Sequence, residues 1–438
     1  MIKQILFAIT LIVTLGVFAY SVRSLVLYFK LLKPAFPIRD IGKRIMLTLK
    51  VAFGQSRILR RPVIGLMHAL VWWGFLLILF GSIEMVIDGL FGTDRALSFL
   101  GFFYDAIIAS GDVFALLIAI LIIAFLFRRI FMRIRRFGGV EMRPVSHIDA
   151  NVALGLILFL MITLMGMNAF YVASCHQSAH GISGIFPIGN LISGWLSGLS
   201  PQSLHTGHEV CWWGHIVGIF FFANYLPYSK HFHVFLSVPN VFLSNLNPLG
   251  KMANMENVTR EVKLMLDPNA DFSEAPEEEA SRFGVKDVQD LNWKNYFDSL
   301  ACTQCGRCTS VCPANITGKL LSPRKIVMNV RQRMKEKAPG LVKEGSGFED
   351  GKALLGDYIT KEELWACTTC NACARECPIN INQPAIILDM RRYLVMEESA
   401  APAELNQIFS NIENNGAPWQ FAQEDRMKWA EELYINVS

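Results

Sequence analysis

Five runs of apolar residues, each close to or beyond the length that crosses a bilayer, fill the chain before residue 235 and decide most of what it can become. They run from about Gln4 to Tyr28, Val63 to Leu90, Phe102 to Phe127, Ile148 to Val172 and Gly207 to Ser229. A helix needs about 20 such residues to span hydrocarbon. The first run is too long for a signal peptide, lacks a small-residue cleavage motif and ends in a basic segment, so it reads as a retained helix. The hydrophobic fraction of 52% is therefore an average over two unlike halves. The second half is polar and holds eight of the ten cysteines. This excludes an ordinary soluble globule, a disordered chain and a fibre. A formal net charge of +4 is too small to argue for nucleic acid.

Charge sets the expected orientation. The segment from Lys30 to Arg61 carries nine Lys or Arg, and the segment after the third run carries Arg128, Arg129, Arg133, Arg135, Arg136 and Arg143. The loop from Ala173 to Thr206 carries none. By the positive-inside rule the N-terminus is outside, both basic loops are inside, and the cysteine-rich half is cytoplasmic at a cell inner membrane. A reducing compartment suits free thiolates that bind metal. Within the outer loop, "GIFPIGNLISGWLSGL" reads as a short helix on the membrane face or a compact loop packed on the bundle. Cys175 and Cys211 lie on that side, as a disulfide or as small buried residues.

The polar half carries the most specific motif. Residues 302–313 read "CTQCGRCTSVCP" and residues 367–378 read "CTTCNACARECP". This is the spacing of a protein with two [4Fe–4S] clusters, written twice. Three cysteines wrap one corner of a cubane, and the fourth reaches the other cluster. Cys302, Cys305, Cys308 and Cys377 are expected to hold one cluster, and Cys367, Cys370, Cys373 and Cys312 the other. Pro313 and Pro378 fix the direction of the fourth ligand. Zinc would take four ligands from two pairs rather than two copies of this run. A basic amphipathic helix is expected over about Pro323 to Lys337, and another near Lys361 to Trp365. The expected fold is all-α. Residues 1–234 form a five-helix transmembrane bundle, 235–290 a linker without assigned chemistry, 291–398 a mostly helical ferredoxin-type domain, and 399–438 a docking segment.

All nine histidines fall in the membrane half or at its edges. Ligand side chains at membrane depth are costly and tend to be functional. For one histidine, an imidazole hydrogen-bonded between helices explains as much; for the set it explains less. His68 lies early in the second run, with Gly65 and Gly74 nearby. His215 lies in the fifth run beside Gly214 and Gly218, with His208 seven residues earlier, and His231 and His233 lie at its inner end. Haem in a bundle is held by two imidazoles, with small residues making room for the ring. On an ideal helix His215 and His233 are roughly 27 Å apart, which suits two redox centres, although Pro227 intervenes. Glu84, Asp88 and Glu209 read equally as proton relays for quinone chemistry or as headgroup-region carboxylates.

This layout resembles the cytochrome b subunit of respiratory nitrate reductase and the related subunits of heterodisulfide reductase. The resemblance implies that His68 and His233, with His231 as the alternative, hold a haem b nearer the cytoplasm, and that His215 holds an outer one. It departs at position 78, where Ile stands in place of a second helix-two histidine. The outer partner is then His176, His180 or His208, or the second haem is absent. The helix-rich spacing between the cysteine runs is similar to the ferredoxin domains of succinate dehydrogenase iron–sulfur subunits and of heterodisulfide reductase. The stretch "INQPAIILDMRRYLVMEESAAPAELNQIFSNIENNGAPW" resembles the segment after the second cysteine run in heterodisulfide reductase and glycolate oxidase iron–sulfur subunits. In those proteins cysteine-rich CCG domains come next, and here none does. The implied function is electron transfer between membrane quinone and a cytoplasmic redox partner that carries CCG domains or a flavin. The rival is a membrane-anchored ferredoxin module with neither haem nor quinone site, serving as a docking subunit.

Overall fold

In hydrocarbon a backbone must satisfy its own hydrogen bonds, and the apolar runs do so as helices. The computed structural model describes residues 1–178, 181–269 and 282–434. Its long apolar helices are α1 (Ile2–Phe29), α2 (Pro62–Phe91), α3 (Phe102–Ile130), α4 (Pro144–Ser178) and, after the short α5 (Pro187–Ser193), α6 (Pro201–Tyr225). They match the five expected runs within a few residues. Of the expected elements, His180 and parts of the linker and C-terminal segment lie outside the described residues.

Apolar side chains cannot drive helices together in lipid, so close packing must, and small residues supply it. The tightest pair is α4 with α6. Gly207 sits against the ring of Phe170, Gly218 against Leu160 and Phe159, and Gly166 against the thiol of Cys211. Gly74 of α2 is closed in the same way by Phe114 and Ile118 of α3. These glycines, including Gly218 and Gly74, therefore bring helices together instead of making room for a ring. The compact loop between α4 and α6 is docked on the bundle. Asp112 of α3 accepts from the Ile188 and Gly189 N–H groups at 2.7 and 3.0 Å and from Asn168 Nδ2 at 2.9 Å.

Pro227 ends the fifth span rather than bending it. After Tyr225 the chain makes two short 3₁₀ turns through Ser229 and restarts as α7 (His233–Phe242). A proline has no N–H to continue the ladder. The 27 Å spacing on one straight helix therefore does not apply, and His231 and His233 sit at the break.

The polar half is built around α8 (Trp293–Ala301), α9 (Pro323–Glu344) and α10 (Gln383–Met396). Ile326, Val330, Met334 and Leu341 line one face of α9 and are buried against Ile386, Ile387, Met390 and Leu394 of α10. Val285 and Val288 belong to the same core, so the helical unit begins inside the segment expected to be linker. Arg333 and Lys337 are buried on α9. Asp287 answers both, at 2.7 and 2.9 Å.

The two halves share an interface at one end of the bundle. The last turn of α1 enters the polar core, with Phe29 5.0 Å from Tyr296, and Lys33 exchanges backbone hydrogen bonds with Leu291 and Trp293. Arg324 of α9, fully buried, reaches the loop after α3. It bonds the carbonyls of Arg136 and Gly138 and pairs with Glu141 at 2.7 Å. Arg331 donates to the Ser229 carbonyl at 3.2 Å. The end of the bundle that carries both basic loops is the end that receives the cysteine half.

Candidate metal centre

Both cysteine runs fold into the same backbone. Each comes after a helix, α8 for Cys302 and Lys361–Trp365 for Cys367. The second residue after the first cysteine is left-handed in each, Gln304 at φ 58° and Thr369 at φ 54°. So is the residue after the second cysteine, Gly306 at φ 73° and Asn371 at φ 58°. At 306 only glycine fits, because a Cβ there would lie 2.2 Å from the Arg136 carbonyl oxygen. Position 371 has no such neighbour, and Asn tolerates the left-handed region. The two turns curl each run into a cup of thiols.

The thiols fall into two adjoining groups. Cys308 has Cys305, Cys302 and Cys377 as electrostatic neighbours. Cys373 has Cys367, Cys312 and Cys370. The groups adjoin, since Cys308 also feels Cys373. All eight are free thiols. Burial pushes Cys302 up to about 11 and Cys373 up to about 12. Four thiolates can crowd together in this setting only around compensating positive charge.

A cubane fits the second cup. Cys312, Cys367, Cys370 and Cys373 line one cavity. Among the described residues no three Cys, His, Asp or Glu side chains close on a single point as a lone ion would require. The thiols stand around a volume instead, which is the demand of a four-iron cluster. Backbone N–H groups face the sulfurs, Thr369 to Cys367 Sγ and Ile381 to Cys377 Sγ, each at 3.4 Å.

The two cups differ in surroundings. Arg57, Arg136, Arg307, Arg324, Arg331 and Lys230 all interact with thiols of the group of Cys302, Cys305 and Cys377. Arg57, Arg136 and Lys230 come from the membrane half. Arg57 bonds the Cys377 carbonyl at 2.9 Å, and Arg307 reaches back to the Arg57 and Ile58 carbonyls at 3.0 and 3.5 Å. The other cup has Arg391, which bonds the Cys367 carbonyl, and it presents Cys370, Thr368 and Thr369 to the surface.

Three of the candidate histidines come together beside the first cup. His68 has His233 and Arg307 as electrostatic neighbours, and His231 has His233 and His68. The His231 and His233 rings are 5.3 Å apart, edge to face. His233 Nδ1 bonds the Lys230 carbonyl at 3.2 Å, the orienting bond of a ligating imidazole. Burial holds His231 down to about 3 and His233 to about 4, so both are neutral, the form that binds iron. The buried Nδ1 atoms of His68 and His231 have no hydrogen-bond partner among the described residues. This chemistry suits iron ligands, although Gly65 beside His68 is already filled by the Ile58 carbonyl.

The remaining histidines are placed apart. His215 is buried further up α6, with Nδ1 bonded to the Leu160 carbonyl at 2.9 Å and against Thr163 Oγ1 at 3.0 Å. His208 lies by Tyr171 and Glu209. His176 and His205 are exposed. Cys175 and Cys211 are both free thiols, so the disulfide is not formed. Glu84, Asp88 and Glu209 all have structural partners. Glu84 accepts from Tyr104 and the Leu97 N–H, Asp88 from Thr93 and two loop N–H groups, and Glu209 pairs with Lys3 at 2.6 Å. Sequence reasoning passes over Arg57, Arg307 and the pair Arg324–Glu141. The motif gives one signal, since Arg307 stands beside a cluster cysteine.

Comparison with known proteins agrees with the cysteine geometry. Residues 301–381 match the 4Fe-4S dicluster domain family. The chain is 30% identical to the probable iron-sulfur-binding oxidoreductase FadF of Bacillus subtilis (strain 168), over 98% of this chain and 61% of that protein. It is 28% identical to the EtfAB:quinone oxidoreductase of Syntrophomonas wolfei, over 90% of this chain and 54% of that protein. Over 24% of its length it is 36% identical to one subunit of the ferredoxin/F(420)H(2)-dependent CoB-CoM heterodisulfide reductase of Methanosarcina acetivorans, and the match takes in 52% of that protein. The chain thus spans less than two thirds of each. No solved structure matches it. The chain is an iron–sulfur protein, with a 4Fe-4S dicluster domain joined to five helices of membrane-spanning length and composition.

Proposed function

We propose that this chain carries electrons between a lipid-soluble quinone and a redox partner at the far side of its ferredoxin half. The reading assigns one [4Fe–4S] cluster to Cys302, Cys305, Cys308 and Cys377 and the other to Cys367, Cys370, Cys373 and Cys312. It assigns a haem b to His68 and His233, with His231 as the alternative ligand. When bound, these groups supply one-electron chemistry. The observation that carries the reading is continuity: His68 neighbours Arg307, Arg307 neighbours Cys305 and Cys377, and Cys308 neighbours Cys373.

The chain's own residues do the rest. Arg307 and Arg57 tie the first cup to the start of α2, which fixes the spacing between His68 and the thiols. Buried packing around both excludes water, so charge moves within the chain. The exposed rim at Cys370 is where a partner approaches. The partner is a redox protein with cysteine-rich CCG domains or a flavin, in keeping with the electron carriers and quinone in the relatives' names. The positive-inside pattern puts that partner in the cytoplasm, with the N-terminus across the inner membrane.

A visible spectrum of the purified full chain tests this. Dithionite reduction should give the α-band of a six-coordinate haem b together with bleaching of broad iron–sulfur absorbance. Iron–sulfur bleaching without a haem band would leave a membrane-anchored ferredoxin module and overturn the haem assignment.

A further inference from the structure

A second chemical feature lies at the opposite end of the bundle. A cavity opens between α2, α3, α4 and α6. Its walls are mainly apolar, with Ile78, Ile108 and Leu164 among them, and it is open at two glycines. A Cβ added at Gly81 or Gly111 would meet nothing within 4 Å. These glycines therefore differ from Gly74 and Gly218, which are filled by neighbouring side chains.

The polar groups of the cavity are mostly spoken for. Asp112 is held by Asn168 and the N–H groups of Ile188 and Gly189. Ser82 bonds its own helix at Ile78. Arg95 stacks over Tyr171 and Phe186 at 4.6 and 4.8 Å and lies 3.9 Å from Glu84. His215 is the exception. Its hydrogen bonds use Nδ1, which leaves Nε2 for a ligand. No other described histidine lines the cavity, so a ring held between two imidazoles has only one ligand here.

An apolar slot with one free imidazole nitrogen, an acceptor because Nδ1 donates to the Leu160 carbonyl, suits an exchangeable aromatic ring that bears a hydroxyl. We infer that this cavity binds the quinol form of a quinone head, with a ring hydroxyl donating to His215 Nε2, and that it holds no second haem. The inference rests on the electron-transfer reading for its purpose and on the cavity alone for its location. Gly81 and Gly111 admit the ring edge, and Arg95 adds a cation to the wall.

The test uses the full chain in lipid nanodiscs and the fluorescent quinone-head mimic 2-heptyl-4-hydroxyquinoline N-oxide. Wild type should quench the probe saturably at one site and contain one haem per chain. Gly111→Leu and, separately, Gly81→Leu should weaken binding at least tenfold, and His215→Asn should weaken it too. Haem and iron content should stay unchanged in all three, which also reports on folding. Gly16→Leu, on an exposed face of α1, should bind as wild type does. Two haems per chain, one of them lost in His215→Asn, would overturn the inference, as would probe binding indifferent to both leucines. Glycine-dependent probe binding in a chain without haem would support the cavity while sinking the haem assignment.

Discussion

Arg307→Gln should separate the two clusters electrically. Arg307 is buried, stands next to Cys308 in the chain, and has Cys305 and Cys377 among its electrostatic neighbours. Reduction adds negative charge to a cluster, so a nearby guanidinium favours the reduced state, and its removal lowers the potential. A unit charge 5 to 10 Å from a redox centre is worth roughly 2 to 3 kcal/mol at an effective dielectric near 20. That is on the order of 100 mV for a one-electron couple. The second cup has Arg391 and not Arg307 for its cation, so its potential should move much less. Arg307→Lys keeps the charge but not the planar fork that spans the Arg57 and Ile58 carbonyls, and it should recover most of the shift. An EPR-monitored redox titration of the purified chain reads both couples. One couple falling by about 100 mV, with the other nearly fixed, is the expected result. Two couples that stay put, or that fall equally, would refute the assignment of Arg307 to one cluster.

The cysteine pairing makes a crossed prediction. Cys377→Ser should disturb the cluster of the first run and Cys312→Ser that of the second, each taking non-haem iron from about eight atoms per chain toward about four, with EPR telling the two apart. For the membrane histidines, His68→Ala and His233→Ala should each remove most of the haem absorbance, whereas His231→Ala should retain it; pyridine haemochrome content decides. The interface pair gives a pH dependence. Burial alone would raise Glu141, but the Ser322 hydroxyl and the Arg324 guanidinium outweigh it and hold the carboxyl below its usual value. Its contribution is thus full above the unfolded pKa and is lost as pH falls through the folded one. Glu141→Gln should cost about 3 kcal/mol near neutral pH by leaving Arg324 buried and unpaired, and its deficit in Tm should narrow as the pH drops below about 4.5.

How much of the molecule is legible in the sequence depends on the range over which each signal acts. The five spans are local, since length and apolarity alone select helices in hydrocarbon, and their ends differ by only a few residues. The cysteine runs are local as well, and their spacing alone points to a 4Fe-4S dicluster domain. Pro227 reads as a bend in the sequence and is a stop in the fold, because the neighbouring Ser229 and the docking of α7 decide the path beyond the proline. The glycines mislead for a related reason. Gly74 and Gly81 lie seven residues apart on one helix, yet one is filled by Phe114 and the other faces a cavity. Only the opposing helix distinguishes them. Arg57 is invisible in the sequence because its partners are backbone carbonyls, and a carbonyl has no residue type, while Arg324 meets Glu141 from a distant loop.

Those carbonyl bonds explain how two halves with separate cores keep one electrical geometry. An ion pair between side chains can swing or break with pH, but a guanidinium bonded to main-chain oxygens fixes loop to loop. Arg57 reaches from the membrane half to the Ala374 and Cys377 carbonyls, and Arg307 reaches from the cysteine half to the Arg57 and Ile58 carbonyls. The two bonds run in opposite directions across the same few residues. Ile58 in turn packs its carbonyl against Gly65, one turn before His68. A displacement of the first cup is thereby a displacement of the start of α2. Electron transfer falls steeply with distance, so a chain that conducts between halves must hold them at this level. The second run is tied to the bundle too, by Arg57 to the Ala374 carbonyl and Arg60 to the Arg375 carbonyl beyond Cys373, while its Cys370 rim is exposed. On the proposed electron path, the tied segment joins His68 to the first cup, and the exposed rim is left for a partner.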